Sequence, residues 1–339
     1  MKKSWGILGI ILVAAIVFGA IGWWVYANHR QSSASTALVP ITVRLKWLHQ
    51  SQFAGNYVAD QKGYYRDEGL AVTLKSFDLT HYPIDEVVSG NEDFGVAGAD
   101  ELLVAREKGE RVKALAVIYQ DSPVVAYALA SSGITKPTDF IGKKLGMEQV
   151  SNVQIGVHAM LAAQGIDYTK SVTEIPIGYD AGPVLSHTVD IGTGYVTNEP
   201  IQAEEAGQHV NIIAPYSYGV KTYADVLFTS EDMIAKHPDV VAGFVRATLK
   251  GWEYAVTHID EAANLTLLYK DPNNNALNFA HQKALLTRSI PFIKPNAGRE
   301  VGSMSFEDWQ RTYQLLRDYK LLTKDSDVTQ AYTREFLPK

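Results

Sequence analysis

The sequence predicts an α/β protein of two lobes that is preceded by a membrane segment. Three observations support this prediction. Strand and helix patterns alternate from residue 42 to residue 214, helical patterns alone follow after residue 230, and a long apolar run lies near the N-terminus. With 339 residues, 46% hydrophobic and 20% charged, the composition is that of a globular protein with roughly two domains.

Composition also excludes several classes of function. The chain contains no cysteine, which excludes a disulfide scaffold, a cysteine-ligated metal site and a thiol nucleophile. Its 31 Lys and Arg against 37 Asp and Glu give a formal net charge of −6. A chain with this charge lacks the basic surface that nucleic acids bind, so we expect no nucleic-acid partner.

The N-terminal segment has the pattern of a membrane anchor. Residues 5–26 carry no charge, and at about 1.5 Å per residue such a helix spans the ~30 Å hydrocarbon core of a bilayer. Lys2 and Lys3 precede the run and favour a cytoplasmic N-terminus. Trp23, Trp24 and Tyr26 end the run, where the aromatic belt of a membrane segment belongs. A cleaved signal peptide is the alternative, although its apolar region is usually shorter. We therefore expect a periplasmic or otherwise extracytoplasmic protein, with residues 1–39 as membrane anchor and tether.

The predicted first lobe begins with a regular alternation of strands and helices. Alternating apolar residues predict the strands, and apolar residues at helical spacing, closed by Gly69 and Gly109, predict the helices. Because strands that alternate with helices are usually parallel, we expect a mostly parallel sheet. In chain order the predicted elements are a strand at 42–45, a helix at 53–69, a strand at 72–77, a helix at 84–88, a strand at 94–97, a helix at 99–108 and a strand at 112–119.

A second series of the same kind predicts a second lobe. Its predicted elements are strands at 124–130 and 144–147, a helix at 153–163, a strand at 172–177, a helix at 183–187, a strand at 191–195, a helix at 199–206 and a strand at 210–214.

The remainder of the chain is predicted to be helical. Pro238 suits a first helical position, and Ser305 with Asp308 is close to a capping box. A helical tail without a sheet must bury its apolar faces on an earlier element, most simply on the first lobe. We therefore assign residues 40–124 and 220–339 to lobe 1 and residues 125–219 to lobe 2. The predicted helices cover 231–236, 238–258, 259–269, 278–289 and 306–321.

The sequence shows no motif of a catalytic or cofactor site. The nine histidines are scattered without metal-ligand spacing, and Gly192-Thr193-Gly194 lacks the third glycine of a dinucleotide-binding turn. There is no nucleophile elbow and no phosphate-binding loop. We therefore expect no cofactor, no metal ion and no catalytic residue, and we expect that the protein is not an enzyme.

Candidate ligand-binding residues lie where strands end and helices begin. In open α/β sheets the ligand crevice lies outside the carboxyl ends of the strands, and two facing lobes enclose it. Trp47 and Tyr195 follow strands directly, where an aromatic ring stacks on a planar ligand, although a place in the core is the alternative for each. Gln52 and Phe53 lie in the first of four such stretches, and Phe53 equally suits the first apolar position of its helix. The stretches are residues 46–55, 98–101, 119–122 and 194–200.

Asp100 and Glu199 predict the sign of the ligand's charge. A carboxylate at a helix start also stabilises the helix itself, which is the structural alternative. A site for sulfonate, nitrate or phosphate would instead present bare N–H groups to the anion. Carboxylates accept hydrogen bonds from an amino group and a neighbouring protonated ring nitrogen, as in an aminopyrimidine. Gln120 and Asn198 both donate and accept, so they would orient such a ligand.

The candidate set has five more members in the same neighbourhoods. Glu101 follows Asp100, and Ser122 lies in the same stretch as Gln120. Ser151 suits a helix N-cap. If it faces the crevice, the start of its helix is the one uncommitted anion site. Tyr179 and Asp180 either close the wall of the second lobe or form a structural turn.

The stretches together resemble a known family, the NMT1/THI5-like substrate-binding proteins of ABC importers. The similarity covers about residues 41–260. The motifs that carry it are Leu45-Lys46-Trp47, Gln52-Phe53-Ala54-Gly55, Tyr57-Val58-Ala59-Asp60, Phe94-Gly95-Val96, Asp100-Glu101-Leu102-Leu103 and Gly194-Tyr195-Val196-Thr197-Asn198-Glu199-Pro200.

The resemblance implies a type II periplasmic-binding-protein fold, in which two lobes close over a ligand, and no catalysis in the transport members. Fungal relatives synthesise the pyrimidine and carry a cysteine-rich motif, which this chain lacks. Where the family usually has Asn-His before the first helix, this chain has Gln52-Phe53. Relatives also bind riboflavin or other flat heterocycles, so the ligand stays open within that class.

The resemblance and the candidate residues together predict a membrane-tethered solute-binding protein. It would trap a small planar nitrogen heterocycle, such as a thiamine pyrimidine precursor, and deliver it to an ABC permease and its ATPase. One alternative is a ligand-binding sensory module that acts with a separate membrane signalling partner. The other is a binding protein for riboflavin or a sulfonate.

Overall fold

Three β-sheets and the helices around them form the fold in a computed structural model. The structure describes residues 37–78, 80–148, 151–269, 274, 276–295 and 298–338, without the side chain of Ser151. The strands of these residues are β1 (Val39–Arg44), β2 (Leu70–Lys75), β3 (Phe94–Ala97), β4 (Val112–Tyr119), β5 (Val124–Leu129), β6 (Lys144–Glu148), β7 (Thr173–Ile177), β8 (Gly192–Tyr195), β9 (Val210–Ile213) and β10 (Ala224–Ser230).

Helices connect the strands and make up most of the C-terminal part. The predicted membrane segment, residues 5–26, lies outside the described residues. None of the helices described here is long and apolar enough to cross a membrane. They are α1 (Ala54–Gln61), α2 (Tyr64–Asp67), α3 (Pro83–Val88), α4 (Ala99–Glu107), α5 (Ser151–Ala163), α6 (Tyr168–Ser171), α7 (Gly182–Leu185), α8 (Glu199–Glu205), α9 (Glu231–Lys236), α10 (Pro238–Ala255), α11 (Ile259–Thr266), α12 (Phe279–Ile293) and α13 (Phe306–Asp318).

The mixed α/β class is confirmed, but the prediction of a mostly parallel sheet is wrong. The largest sheet has the order β2-β1-β3-β10-β4, in which β1 is parallel to β2 and β3, and β10 is antiparallel to β3 and β4. The second sheet, β8-β5-β9, is antiparallel, and only β6-β7 adds a parallel pair. Strand β10 was not predicted. There the chain returns to the first sheet antiparallel to its neighbours, a connection that needs no crossover helix.

The predicted helix at 53–69 is divided into three pieces. A 3₁₀ turn at Ser51–Phe53 leads into α1, and α2 follows after Gly63. Gly63 has a φ of 76°, a left-handed conformation that glycine adopts without steric cost and that interrupts a helix. The interruption leaves α1 as a short helix directly behind the stretch that carries Trp47 and Gln52.

The C-terminal helices hold that stretch in place. The backbone N–H of Ser51 donates to Gln282 Oε1 of α12 over 2.6 Å, and Ser51 Oγ donates to Thr266 Oγ1 of α11 over 3.1 Å. Helix α10 packs on α1 so closely that a Cβ at Gly55 would overlap the ring of Trp252. Helices far along the chain therefore fix the position of residues near its beginning.

Close packing of α10 on α1 leads to a stability prediction at Gly251. A Cβ at Gly251 would meet the carbonyl oxygen of Gly55 and lie 2.9 Å from the backbone nitrogen of Ala59. Because backbone atoms cannot rotate away, we expect Gly251→Ala to lower the free energy of unfolding by roughly 1–3 kcal/mol. Chemical denaturation measures this loss.

Gly243 in the same buried helix is the matched control. Its added Cβ would come no closer than 3.2 Å to a described atom, the Cβ of Glu68. Gly243→Ala should therefore stay within about 1 kcal/mol of the wild type, since alanine also favours the helix. Equal stability of the Gly251→Ala protein and the wild type would contradict the close approach of the two helices.

Candidate ligand-binding site

A buried cavity lies where the three sheets meet. Its walls come from the residues after β1, the ends of β6 and β8, and the starts of α5 and α8. The cavity volume is about 20 Å³, roughly the room that one water molecule needs. A heterocycle therefore enters only if the walls move apart. The cavity is lined by Lys46, Trp47, Gln50, Gln52, Glu148, Asn152, Val153, Tyr195, Asn198 and Glu199.

Lys46 is surrounded by carboxyl groups. Its Nζ lies 3.4 Å from Glu101 Oε2 and 3.8 Å from Asp225 Oδ1, and the Lys46 side chain is almost fully buried. Asp100, one residue from Glu101, also interacts electrostatically with Lys46. We call Lys46 and the carboxyl groups of Asp100, Glu101, Glu148, Glu199 and Asp225 the acidic cluster.

Burial raises the pKa of four carboxyl groups in the cluster. Loss of hydration is the largest cause in each case: it raises the pKa of Asp100 to about 7 and that of Glu199 to about 7. The pKa of Glu148 lies well above its ordinary value, through burial and then through the charge of nearby Glu199. Burial also raises the pKa of Asp225, against the opposing effect of Lys46. The site is therefore poorly suited to a further negative charge.

Glu199 is held in a fixed orientation by protein donors. Glu199 Oε2 accepts the backbone N–H of Tyr195 over 2.9 Å, and Glu199 Oε1 accepts a short hydrogen bond from Asn198 Nδ2. Gly194 leaves room for this arrangement, because a Cβ there would collide with Glu199 and lie 2.9 Å from Glu148 Oε1. The glycine thus lets two carboxyl groups converge on one wall of the cavity.

Glu148 and Asn152 have unsatisfied acceptors in this cavity. Glu148 Oε1 and Asn152 Oδ1 are buried and have no hydrogen-bond partner among the described residues. The backbone N–H of Glu148 donates to Thr193 Oγ1, and Asn152 Nδ2 donates to the hydroxyl of Tyr195 over 3.0 Å. Buried acceptors without a donor are costly, so this pair points to a ligand that donates hydrogen bonds.

Aromatic rings form the apolar part of the wall. Trp47 makes an edge contact with Tyr179, with ring centroids 4.9 Å apart. Tyr195 Oη donates to Asp225 Oδ1 over 3.1 Å, while Lys46 Nζ lies 5.8 Å from the centre of its ring. Trp47 and Tyr195 thus combine apolar faces with fixed positions, as binding of a flat ring requires.

Five residues of the predicted set line the cavity: Trp47, Gln52, Tyr195, Asn198 and Glu199. Asp100 and Glu101 lie behind Lys46, and Glu101 accepts the backbone N–H of Gly98 over 2.6 Å. Tyr179 does not line the cavity but contacts the ring of Trp47, which does. Asp180 caps a turn by accepting the N–H of Gly182.

The other predicted residues do not line the cavity. Phe53 is buried in the core beneath it. Gln120 donates to the carbonyl of Glu300, and Ser122 accepts the N–H of Val124, so both stabilise local structure. Helix α5 begins at Ser151, whose side chain lies outside the described part, so its proposed role stays a prediction.

Sequence reasoning missed five functional candidates, and some of them carried a signal. Lys46 and Glu148 stand at or just after strand ends, the rule that selected Trp47, and Gln50 lies in the same stretch as Trp47. Asp225 stands near the start of β10. Because β10 is antiparallel to β3, its amino end lies at the same edge of the sheet as the carboxyl end of β3. The φ of 46° at Asp225 is unusual for a residue with a side chain and is typical of functional positions. The fifth is Asn152, in the first turn of α5.

The raised pKa values predict how stability depends on pH. In the folded empty protein Glu199 keeps its proton to about pH 7, whereas an unfolded glutamate loses it near ~4.3. Between these values the folded state binds more protons, so stability should fall as the pH rises from about 4 to about 7. Melting curves should show a decrease of several degrees, and Glu199→Gln should reduce it. A melting temperature that rises over this range would contradict the assignment.

The chain is similar to proteins named as binding proteins and to proteins named as enzymes. Residues 50–262 match the family described as NMT1/THI5 like. The chain is 30% identical to the riboflavin-binding protein RibY of Chloroflexus aurantiacus, over 90% of this chain and 88% of that protein. It is 26% identical to the formylaminopyrimidine-binding protein of Halalkalibacterium halodurans, over 93% of each.

Solved structures support the fold. The periplasmic aliphatic sulphonate binding protein SsuA of Escherichia coli has a TM-score of 0.62 at 13% identity, over 87% of this chain and 92% of that one. A Candida albicans protein with the generic periplasmic binding protein fold has a TM-score of 0.61 at 15% identity, over 88% and 97%. The chain therefore has a mixed α/β periplasmic-binding-protein fold.

The expectation that the protein is not an enzyme is wrong in the light of a third relative. The chain is 27% identical to the 4-amino-5-hydroxymethyl-2-methylpyrimidine phosphate synthase of Legionella pneumophila, over 88% of this chain and 92% of that protein. Fungal proteins of the same name match as well. Enzymes and binding proteins thus share this similarity. The family match and the near-full-length relatives show that the chain belongs to the NMT1/THI5-like family.

Proposed function

We propose that this protein is an extracytoplasmic solute-binding protein for a small planar nitrogen heterocycle with amino or protonated ring nitrogens. The unpartnered acceptors Glu148 Oε1 and Asn152 Oδ1 are the observation that carries the proposal. An aminopyrimidine supplies donors to both in the plane of its ring, which replaces two costly buried groups by two hydrogen bonds.

The charge of the acidic cluster favours the same class of ligand. A sulfonate or phosphate would have to approach Glu148 and Glu199, whose carboxyl groups already repel each other. A donor-rich or cationic heterocycle relieves that repulsion, because each carboxylate gains a donor. The sign of the cluster therefore disfavours the sulfonate alternative.

Shape and access agree with trapping between two lobes. We propose that the sheet containing β1 and the sheet containing β5 belong to lobe 1 and lobe 2 and move apart to admit the ring between Trp47 and Tyr195. The small cavity volume supports this, since about 20 Å³ corresponds to a closed site. A ligand that contacts both lobes would stabilise the closed form.

Delivery to an ABC permease and its ATPase is part of the proposal. It is supported by the relatives named as binding proteins for riboflavin and formylaminopyrimidine. The apolar run at residues 5–26 would tether the protein to the membrane, or act as a cleaved signal peptide. A sensory role with a separate signalling partner would use the same ligand site.

The proposal predicts a selective effect of Glu148→Gln. The amide keeps the shape of Glu148 but sets a donor against the ligand's amino group. Affinity for 4-amino-5-hydroxymethyl-2-methylpyrimidine, measured by calorimetry, should fall roughly ten- to a hundredfold, as expected for a hydrogen bond to a charged group worth ~1.5–3 kcal/mol. The melting temperature of the empty protein should stay equal or rise, because a buried carboxyl group is removed.

Glu92→Gln is the matched control. Glu92 is a buried carboxylate outside the cavity, and its Oε2 also lacks a partner among the described residues, while its Oε1 pairs with Arg44 and Lys75. This variant should lose stability and keep its affinity for the pyrimidine. Wild-type affinity in the Glu148→Gln protein, or a loss that follows the melting temperature, would count against the proposal.

A second candidate function is a reaction on the same heterocycle. It is favoured by the pKa of Asp100 and that of Glu199, both about 7, which suit proton transfer near neutral pH. Mass spectrometry of the pyrimidine after incubation with the protein distinguishes the two functions. Unchanged pyrimidine bound in a one-to-one ratio supports transport, and a released product supports an enzyme.

A further inference from the structure

His281 connects the ligand cavity to the C-terminal helices. It lies in α12 and is completely buried, although the sequence analysis gave it no role. Its Nδ1 lies 3.0 Å from Glu205 Oε2 and its Nε2 lies 3.0 Å from Asn198 Oδ1. Asn198 directly precedes α8 and Glu205 ends it. One imidazole ring of α12 therefore contacts both ends of α8 beside the cavity.

The direction of these hydrogen bonds follows from a backbone group. The N–H of Ala181 can only donate, and it donates to Gln202 Oε1 over 2.9 Å, which leaves Gln202 Nε2 to donate to Asn198 Oδ1 over 3.3 Å. Asn198 therefore turns its oxygen towards Gln202 and His281, and its Nδ2 donates to Glu199 Oε1.

This direction determines the protonation of His281. Asn198 Oδ1 is an acceptor, so His281 Nε2 must donate to it. The Glu205 carboxylate is also an acceptor, so Nδ1 must donate as well. A ring that donates from both nitrogens is an imidazolium cation.

The surrounding charges agree with a cation at this place. Helix α12 packs against α8, α11, β4 and the turn at Ser51–Phe53. Of the other charged groups near this interface, Glu204 pairs with Arg288 and Asp260 pairs with Lys283. Glu205 is thus the carboxylate in direct contact with the ring.

We propose that His281 is a positioning residue for the ligand site: as an imidazolium it holds the Asn198 amide with its NH₂ towards Glu199, which favours the charged, accepting form of that carboxyl group. This role rests on the proposed binding of a donor-rich heterocycle. If the Asn198 amide turned over, its oxygen would face Glu199, which would then need a proton, and its NH₂ would face a neutral His281. The proton on His281 and the acceptor character of Glu199 are therefore linked.

Magnetic resonance of the empty full-length protein tests the linkage without any ligand. Imidazole ¹⁵N signals, assigned by their loss in His281→Gln, should show both nitrogens of His281 protonated at pH 7. The ¹³C signal of the Glu199 carboxyl group should titrate at a higher pH in His281→Gln than in the wild type. A neutral His281 at pH 7, or an unchanged titration of Glu199, would overturn the inference.

Binding of 4-amino-5-hydroxymethyl-2-methylpyrimidine tests the role in recognition. We expect His281→Gln to weaken binding about tenfold, as for one hydrogen bond to a charged group, and Glu205→Gln to weaken it less. The side chain of Glu205 is 42% exposed, so this variant serves where His281→Gln fails to fold.

Arg288→Gln is the matched control for helix packing. It removes the ion pair with Glu204, which joins the same two helices over 2.5 Å and does not reach the cavity. Affinity should stay within twofold of the wild type, and an equal loss in Arg288→Gln and His281→Gln would overturn the positioning role. A wild type that binds no pyrimidine would refute the proposed function, and the titrations would still decide the protonation of His281.

Discussion

The organisation of the site depends on how buried carboxyl groups are kept without unfolding the protein. In the described part of the cavity region, Lys46 is the ammonium group that faces the carboxyl groups of the acidic cluster. Transfer of several carboxylates from water to a protein interior is very unfavourable, so most must be protonated, paired or hydrogen-bonded. Asp225 is paired with Lys46 and Tyr195, and Glu199 with backbone and amide donors. Glu148 keeps one oxygen without a partner among the described residues.

Contacts from several helices hold the residues around the site in place. Helices α11 and α12 anchor Ser51, the glycines at the α1–α10 contact fix the stretch that carries Lys46, and His281 supports Asn198. The contact of His281 acts on a side chain that lines the cavity, and the other contacts act on the stretch that carries Lys46 and Trp47. A binding site whose residues are already positioned loses less conformational entropy when it takes up a ligand.

The sequence candidates and the lining of the candidate cavity agree best where local pattern determines position. Trp47, Tyr195 and Glu199 were found because a strand followed by a helix places the intervening residues at one edge of a sheet. Gln120 satisfied the same rule, but the C-terminal segment covers it and its amide binds the carbonyl of Glu300. Asp225 could not be found that way, because only the three-dimensional pairing shows that β10 runs antiparallel. Burial of Lys46 is likewise a property of the assembled sheets.

The claim that recognition depends on ligand donors is tested most directly by a pair of pyrimidines. 4-Amino-5-hydroxymethyl-2-methylpyrimidine and its 4-oxo counterpart have nearly the same shape, but the second presents an acceptor where the first presents two donors. Calorimetry on the full-length protein, with an alkanesulfonate as a third ligand, measures the three affinities. Our account predicts that the amino compound binds at least tenfold more tightly than the oxo compound and that the sulfonate does not compete. Equal affinity for the two pyrimidines, or tighter binding of the sulfonate, would contradict it.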